Sequence, residues 1–574
     1  MAVPRNIRQS ASQLFLLDKE SCQYKAFLAI AGVPHPDRAI LGAFINDAFD
    51  PEEAARYFLR VTSMEDGSNA PAGKALLQFL SDWKALISKF RPTLATSIPN
   101  GAKSLIYKRD GGHCCLTRTP FTSYFDQGLE YVHVVSPAVF TDPDLQEGTT
   151  LFGMLSIFLS RKALDVLCSS PLGLDCKQPE GLENIWLLST KAFDALKEGK
   201  VFLTVQTWIK QPDTTRKQSY NAYTNNYKPP HCGRLFLPSE TVHIENRTPQ
   251  STPILNEELL AVHAQFSKSL AWMGVQDYMD VSLNDTSRKK SSPPSSVSPF
   301  FTIFRRLWTS LPSLIRTSVY DALVRVGSRM YGPSLSMTVF KLPFGLYLRR
   351  GSPFLAPKYH VEAHTLRMVE QSTHIPAPRT IDVVETPKFS YLLMTCVPGR
   401  PIGPQLNTMT DEQIEQAVTD LKGYVSELRH LQRDTSEFLI CNSQGGGILD
   451  WRIPDSQREE LRFKTEADFN KYLTDPFWEE IRRSAAKSHD IRHDIVFTHG
   501  DLNPRNILAE NGRITGIVDW ENAGWFPEYW EYTKAHYTVR SLMRWLVDVI
   551  DTAFTGYRDE LVVENMLSDL LGPF

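Results

Sequence analysis

Near the end of the chain, His499-Gly500-Asp501-Leu502-Asn503-Pro504-Arg505-Asn506 puts a histidine, a carboxylate and an amide within eight residues. Asp519 follows thirteen residues after Asn506, in Ile517-Val518-Asp519-Trp520. This H-x-D-x-x-x-x-N pattern with a second carboxylate behind it is the set that phosphoryl transfer needs. One carboxylate takes the proton of an attacking hydroxyl. An amide and a second carboxylate hold magnesium on nucleotide phosphates. A polar turn in which Asp501 and Asn506 only cap backbone amides would use the same residue types. The spaced second aspartate makes the chemical reading the stronger one.

Those residues need elements to position them. Ile495–His499 reads as a short apolar strand that delivers Asp501, past Gly500, to the mouth of a cleft. Ile507-Leu508 starts another strand, and Glu510-Asn511-Gly512-Arg513 carries the Asn-Gly signal of a tight hairpin. Ile514–Val518 then returns antiparallel and brings Asp519 back beside Asn506. Two oxygen donors facing one point suit magnesium held partly by phosphates. Upstream, residues 336–350 and 379–397 are strand-like, with a helix over Tyr359–Gln371 between them, and Asp411–Asp434 predicts a long helix.

The first half reads differently. Residues 39–93 are helical, with one helix opened by Pro51-Glu52-Glu53 and another by Ala72. Helices are expected over Leu151–Leu167, Thr190–Leu196 and Asn256–Gly274. Residues 281–301 are rich in Ser and Pro and cannot pack a core, so they read as a linker. Its Arg288-Lys289-Lys290 matches a nuclear-import signal or, more simply, a solvated charge run. Residues 302–330 predict one helix bearing Arg305, Arg306, Arg316 and Arg325. A basic amphipathic helix can lie on a membrane surface; packing on the domain that follows is the preferred reading.

A chain of 574 residues exceeds a single core. With 42% apolar and 22% charged residues it has ordinary globular composition. A net charge of −3 gives no global electrostatic case for nucleic acid or anionic membrane. Eight cysteines form no C-x-x-C pair, which favours reduced thiols and an intracellular, cytoplasmic setting, with the nucleus left open. The first residues lack a secretory pattern. No apolar run reaches the roughly 18 residues of a membrane span.

Residues 310–545 resemble the aminoglycoside-phosphotransferase-like family, which has a protein-kinase-like fold. The resemblance is carried by His499–Asn506, by Ile517-Val518-Asp519-Trp520-Glu521, and by Gly524 and Pro527. Glu362-Ala363, Ile375-Pro376-Ala377-Pro378 and the hinge-like Leu392-Leu393-Met394-Thr395-Cys396-Val397-Pro398-Gly399 add to it. It implies ATP and Mg2+ as cofactors and a small-molecule hydroxyl as acceptor. Asp501 would be the catalytic base, Asn506 and Asp519 the metal ligands, and Met394 to Val397, with Cys396, the adenine contact. His499 would orient the loop, unless it is simply a satisfied structural histidine. The family's phosphate-gripping lysine, partner of Glu362, is replaced here by Arg349, a planar fork in place of a point charge. Only Gly327 and Gly332 offer themselves for a glycine-rich phosphate loop. Helices such as 455–490 would shape the acceptor pocket.

Arg109-Asp110-Gly111-Gly112-His113-Cys114-Cys115, His133-Val134-Val135 and Asn184-Ile185-Trp186 resemble, in that order, the HNH endonuclease family, particularly the version found in fungal proteins. That resemblance implies His133 as the base that activates water and Asn184 as the residue that positions the loop. The second metal ligand falls at Thr190 or Lys191, and neither suits a divalent metal. His113, Cys114 and Cys115 have no partner pair spaced for zinc, so burial is expected.

The expected architecture is therefore α+β in two units. Residues 1–280 form a degenerate HNH-like α/β domain, residues 281–301 the linker, and residues 302–574 a bilobal kinase-like domain. Three functions stay open: a small-molecule phosphotransferase, a scaffold whose sites have lost their chemistry, and a metal-dependent nuclease acting on nucleic acid.

Overall fold

The structure, a computed structural model, describes residues 20–30, 32–62, 72–169, 179–205, 217–224, 241–245, 252–284, 299–332, 334, 336–433, 437–449, 461–474, 479–537, 544–554 and 556–571. The chain divides into two compact units, Met1–Arg288 and Lys289–Phe574. Most of the Ser/Pro-rich linker, including Arg288-Lys289-Lys290, lies outside the described residues.

The first unit opens with helices α1 (Cys22–Ala29), α2 (Asp37–Asn46), α3 (Pro51–Thr62) and α4 (Ala72–Lys89). Asp50 starts α3: its Oδ1 accepts the Glu52 and Glu53 amides, both at 3.1 Å, and Pro51 fills the first helical position. Ala54, Ala55, Phe58 and Thr62 make its buried face. Strand β1 (Thr93–Leu94), helix α5 (Asn100–Arg109), strand β2 (Leu129–His133), helices α6 (Thr150–Phe158) and α7 (Arg161–Ser169), strand β3 (Ile185–Ser189) and helix α8 (Thr190–Lys197) follow. The stretch 151–167, expected as one helix, is two, separated at Leu159 and Ser160. Strands β4 (Val201–Val205), β5 (Lys217–Thr224) and β6 (Thr241–Glu245) form an antiparallel sheet, and helix α9 (Glu257–Asn284) closes the unit. The core is aromatic: Phe44 meets Trp83 edge-on at 4.9 Å, and Phe266 of α9 stacks on Phe90 at 4.2 Å.

The second unit begins with α10 (Pro299–Thr309) and α11 (Ser313–Tyr331). The single helix expected over 302–330 is thus two, because Pro312 has extended backbone and stands as the N-cap of the second. Helix α9 passes residue 280 and α10 starts before 302, so the expected linker loses residues at both ends. Strands β7 (Val339–Leu342) and β8 (Leu346–Gly351), helix α12 (Ala356–Ser372), and strands β9 (Thr380–Glu385) and β10 (Ser390–Thr395) complete a four-stranded antiparallel sheet in the order β7-β8-β10-β9. Period-two alternation sorts its side chains. Tyr391 and Leu393 face Tyr320 and Val324 of α11, while Leu392 and Met394 face Tyr359 and Ala363 of α12.

Gly327 lets α11 press onto β7, since a Cβ there would lie 2.3 Å from the Lys341 carbonyl oxygen. Gly332 is the C-cap of α11, with φ 82°. The two glycines that alone offered themselves for a phosphate loop therefore sit in, and at the end of, a packed helix.

After β11 (Arg400–Pro401) comes α13 (Asp411–Arg429), started by a reciprocal capping box between Thr410 and Gln413. Strand β12 (Cys441–Asn442), helices α14 (Glu466–Thr474) and α15 (Glu479–His489), strands β13 (Ile495–Thr498), β14 (Ile507–Glu510), β15 (Arg513–Ile517) and β16 (Gly524–Pro527), and helices α16 (Trp530–Tyr537) and α17 (Arg558–Leu571) build the remainder. Two small antiparallel sheets, β11-β14-β15 and β12-β16-β13, hold the loop that carries Asp501. Among the described residues, no helix is long and apolar enough to cross a membrane.

Candidate functional site

Strand β13 pairs with β16, Thr498 opposite Gly524, and delivers His499 into the interior. The His499 ring packs edge-on against Trp520 at 4.6 Å. Its Nε2 lies 3.1 Å from the Val518 carbonyl oxygen, and its Nδ1 accepts the Asp501 amide at 3.2 Å. Burial pulls its pKa down to about 4, so the ring is neutral near pH 7 with its proton on Nε2. Gly500 takes φ 78°, and a Cβ there would meet the Asn522 carbonyl oxygen at 2.5 Å. Only glycine fits that close approach.

Asp501 is buried, and burial raises its carboxyl above the ordinary range, against the pull of Arg505. Its Oδ2 accepts Asn506 Nδ2 at 2.8 Å and Arg505 Nη2 at 3.4 Å. Asn506 Nδ2 also donates to the Asp501 carbonyl oxygen at 3.0 Å, which folds the loop back on itself. The hairpin works as its sequence implies. Asn511 and Gly512 take φ 50° and 84°, and Ile507 pairs with Ile517. The Val518 amide then donates to Asn506 at 2.9 Å, and Asp519 follows in a left-handed conformation, φ 70°. A non-glycine residue held there is strained and points its carboxylate where the surrounding fold requires.

Arg349 reaches the same place from β8, where it pairs with Leu392 of β10. Its Nη2 donates to Asp519 Oδ1, and its Nη1 donates to Glu521 Oε2 at 2.6 Å. Nη1 also lies 3.2 Å from Glu362 Oε2, without hydrogen-bond alignment, and that buried oxygen has no donor among the described residues. Burial pushes Glu362 up to about 8, beyond what Arg349 offsets. Asp519 moves the other way: burial opposes its ionisation, but Arg349 outweighs burial and holds the carboxyl low. One guanidinium thus answers three carboxylates.

Met394 and Cys396, expected at adenine, part company. Met394 is buried against α12. Cys396 is half-buried, and its amide donates to the Gly345 carbonyl oxygen at 2.7 Å.

Two residues had no role assigned from the sequence. Glu531 on α16 is buried, and its carboxylate accepts the His499 amide at 2.5 Å and the Gly500 amide at 3.1 Å, so it fixes the start of the loop. Burial raises it to about 7. A carboxylate amid Tyr529, Trp530 and Tyr532 was its only signal, since a charge in so aromatic a run needs a partner. Glu521 is the third carboxylate on Arg349.

In the first unit, strand β2 pairs with β3, His133 opposite Ile185, and helix α8 follows β3. His133 is buried, its Nδ1 has no partner among the described residues, and burial lowers its pKa to about 4. Asn184 Oδ1 accepts the Val135 amide at 3.0 Å, and its Nδ2 donates to the Val135 carbonyl oxygen at 2.7 Å. It clamps the segment that leaves His133. Thr190 bonds Glu130 at 3.3 Å and Lys191 is exposed. Cys114 and Cys115 are buried free thiols. Among the described residues, no three His, Cys, Asp or Glu side chains gather to hold a metal.

Residues 344–561 match the profile of the phosphotransferase enzyme family. The chain is 24% identical over 200 residues to an aminoglycoside 3'-phosphotransferase of Enterococcus faecalis, covering 34% of this chain and 71% of the relative. Against the same-named protein of Escherichia coli it is 24% identical over 189 residues, 32% of this chain and 65% of that protein. Hygromycin-B 4-O-kinase of Escherichia coli is 24% identical over 159 residues, 26% of this chain and 45% of that protein. Among solved structures, aminoglycoside phosphotransferase APH(4)-Ia in ternary complex with ADP and hygromycin B is similar over 43% of this chain and 88% of its own, with 15% identity and a TM-score of 0.31.

Proposed function

We propose that the second unit transfers the γ-phosphoryl group of ATP to a hydroxyl of a small molecule. The observation that supports this most directly is the loop from His499 to Asn506. It holds the buried carboxylate of Asp501 by a 2.8 Å bond from Asn506 and carries Asp519 back beside it on the hairpin. In this reading Asp501 accepts the acceptor hydroxyl's proton as the oxygen attacks phosphorus. Asn506 and Asp519 offer hard oxygen donors that fit magnesium, which when bound would neutralise phosphate charge. Arg349, backed by Glu362, takes the place of the phosphate-gripping cation. His499 and Glu531 hold the loop and exchange nothing with substrate.

The expected outcome is ADP release by the full chain, with ATP and magnesium, when the right member of a panel of hydroxylated small molecules is added. Asp501→Ala lowers that rate by about 10²–10⁴-fold, the range of general-base catalysis, with its melting temperature unchanged. Equal turnover by the variant would sink the assignment.

Arg349 also favours a second reading, a scaffold without turnover, because its guanidinium already occupies Asp519. A ligand at about a hundred times its Kd stabilises by about 2.7 kcal/mol. A thermal shift with ATP and magnesium therefore supports the transferase, and no shift across millimolar ATP supports the scaffold.

A further inference from the structure

Helices α10 and α11 each use one face on the sheet and leave an apolar face outside. On α10, Phe301, Arg305 and Trp308 turn inward: Phe301 and Trp308 pack near Tyr320, and Arg305 pairs with Glu370 at 3.2 Å. On the other side Ile303, Phe304 and Leu307 are exposed, Leu307 at 65%. Helix α11 repeats the division. Thr317, Tyr320, Val324 and Gly327 are buried, whereas Leu314 is 78% exposed and Ile315, Val326 and Met330 are exposed as well.

The charges on this outward face have one sign. Residues 299–331 hold five arginines and one carboxylate, Asp321, in a chain whose net charge is −3. Asp321 is tied to Arg350 at 3.0 Å, and Arg316 turns inward to Asp382. Arg306, Arg325 and Arg329 are exposed and have no ion pair among the described residues. Single exposed apolar side chains are ordinary. Several of them on the outward side of two successive helices, among unpaired arginines, are the pattern of a helix face that lies in a headgroup layer. A nucleic acid would use the arginines and leave the aliphatic side chains unsatisfied.

We propose that the outward face of α10 and α11 docks on an anionic lipid surface. Aliphatic side chains enter the acyl boundary while Arg306, Arg325 and Arg329 meet phosphate or carboxylate headgroups. The face lies across the four-stranded sheet from α12, so docking leaves the Arg349 cluster uncovered.

The test is co-sedimentation of the full chain with vesicles of mixed phosphatidylcholine and phosphatidylserine, and with pure phosphatidylcholine. Binding to the mixed vesicles that weakens with added salt is expected. Each arginine near such a surface is worth about fivefold in partitioning, so Arg325→Gln with Arg329→Gln weakens binding by about 25-fold. Leu307→Ser with Leu314→Ser also weakens it, with an unchanged melting temperature because both side chains are exposed. No binding of the full chain to the mixed vesicles overturns the proposal, as does binding that both variant pairs leave intact. A dimer dissolved by the leucine variants, without vesicle binding, assigns the face to a second copy of the chain and likewise overturns it.

Discussion

At Arg349 one guanidinium meets three carboxylates in a partly buried cluster, and the count of charges leaves the cluster acid-rich whichever partner it prefers. Arg349→Met removes the cation that all three carboxylates share and strands Glu362, Asp519 and Glu521 together, at a cost of about 3 kcal/mol in stability. Arg349→Lys keeps the charge but gives up the fork. It reaches fewer carboxylates, costs about 1 kcal/mol in denaturant unfolding, and releases Asp519, so the thermal shift with ATP and magnesium grows. A smaller shift for the lysine variant contradicts the view that arginine competes for Asp519. The sequence puts Arg349 on the strand before the helix of Glu362, and the structure has it on β8 with Nη1 3.2 Å from Glu362 Oε2. The sequence could not show which carboxylate the fork would choose, since Glu521 enters only through the left-handed turn at Asp519. The neighbouring loop carries a second charge experiment. Glu531 has its pKa raised from 4.5 to about 7. The folded chain therefore keeps a proton that the unfolded chain has lost, and this contribution, full below about pH 4, is lost as pH rises through 7. His499, lowered from 6.5 to about 4, has the opposite sign: its contribution is lost as pH falls from 6.5 through 4. Through that window the two slopes offset each other. Glu531→Gln removes one of them, so the stability of the native chain relative to the variant falls by about 3 kcal/mol from pH 4 to pH 8. A pH-independent difference in urea unfolding would show that Glu531 does not change its charge there.

Among the elements, what the sequence made legible depended on whether the signal was local. The hairpin of β14 and β15 was readable because Asn511-Gly512 can adopt positive φ at little cost. Strand β16 was not, because Gly-Trp-Phe-Pro becomes a strand only by pairing with β12 and β13, far away in the chain. The division between α10 and α11 was written in Pro312, yet apolar periodicity runs on through it. The glycines of α11 misled for another reason: a glycine that admits a phosphate and one that admits a neighbouring strand look alike in sequence. That distinction is measurable. Gly327→Ala sets a methyl against the Lys341 carbonyl, pushes α11 off β7, and costs about 1–3 kcal/mol. If Gly327 served a phosphate instead, its replacement would weaken ATP binding and leave stability in the absence of nucleotide unchanged.

For the whole molecule, the two compact units have separate cores: the aromatic cluster around Trp83 and Phe266 in one, the sheet and loop system in the other. Nothing in the composition distinguished them. The division was legible from the Ser/Pro run and from the change of motif across it. Separate cores imply separate cooperative transitions, since cooperativity follows shared packing. Calorimetry on the full chain should therefore show two endotherms. Asn184→Ala, which removes both bonds to Val135, loses about 1–3 kcal/mol and lowers one endotherm. Arg349→Met lowers the other, and ATP with magnesium raises only that one. A single endotherm that moves with both substitutions would mean that the units melt together.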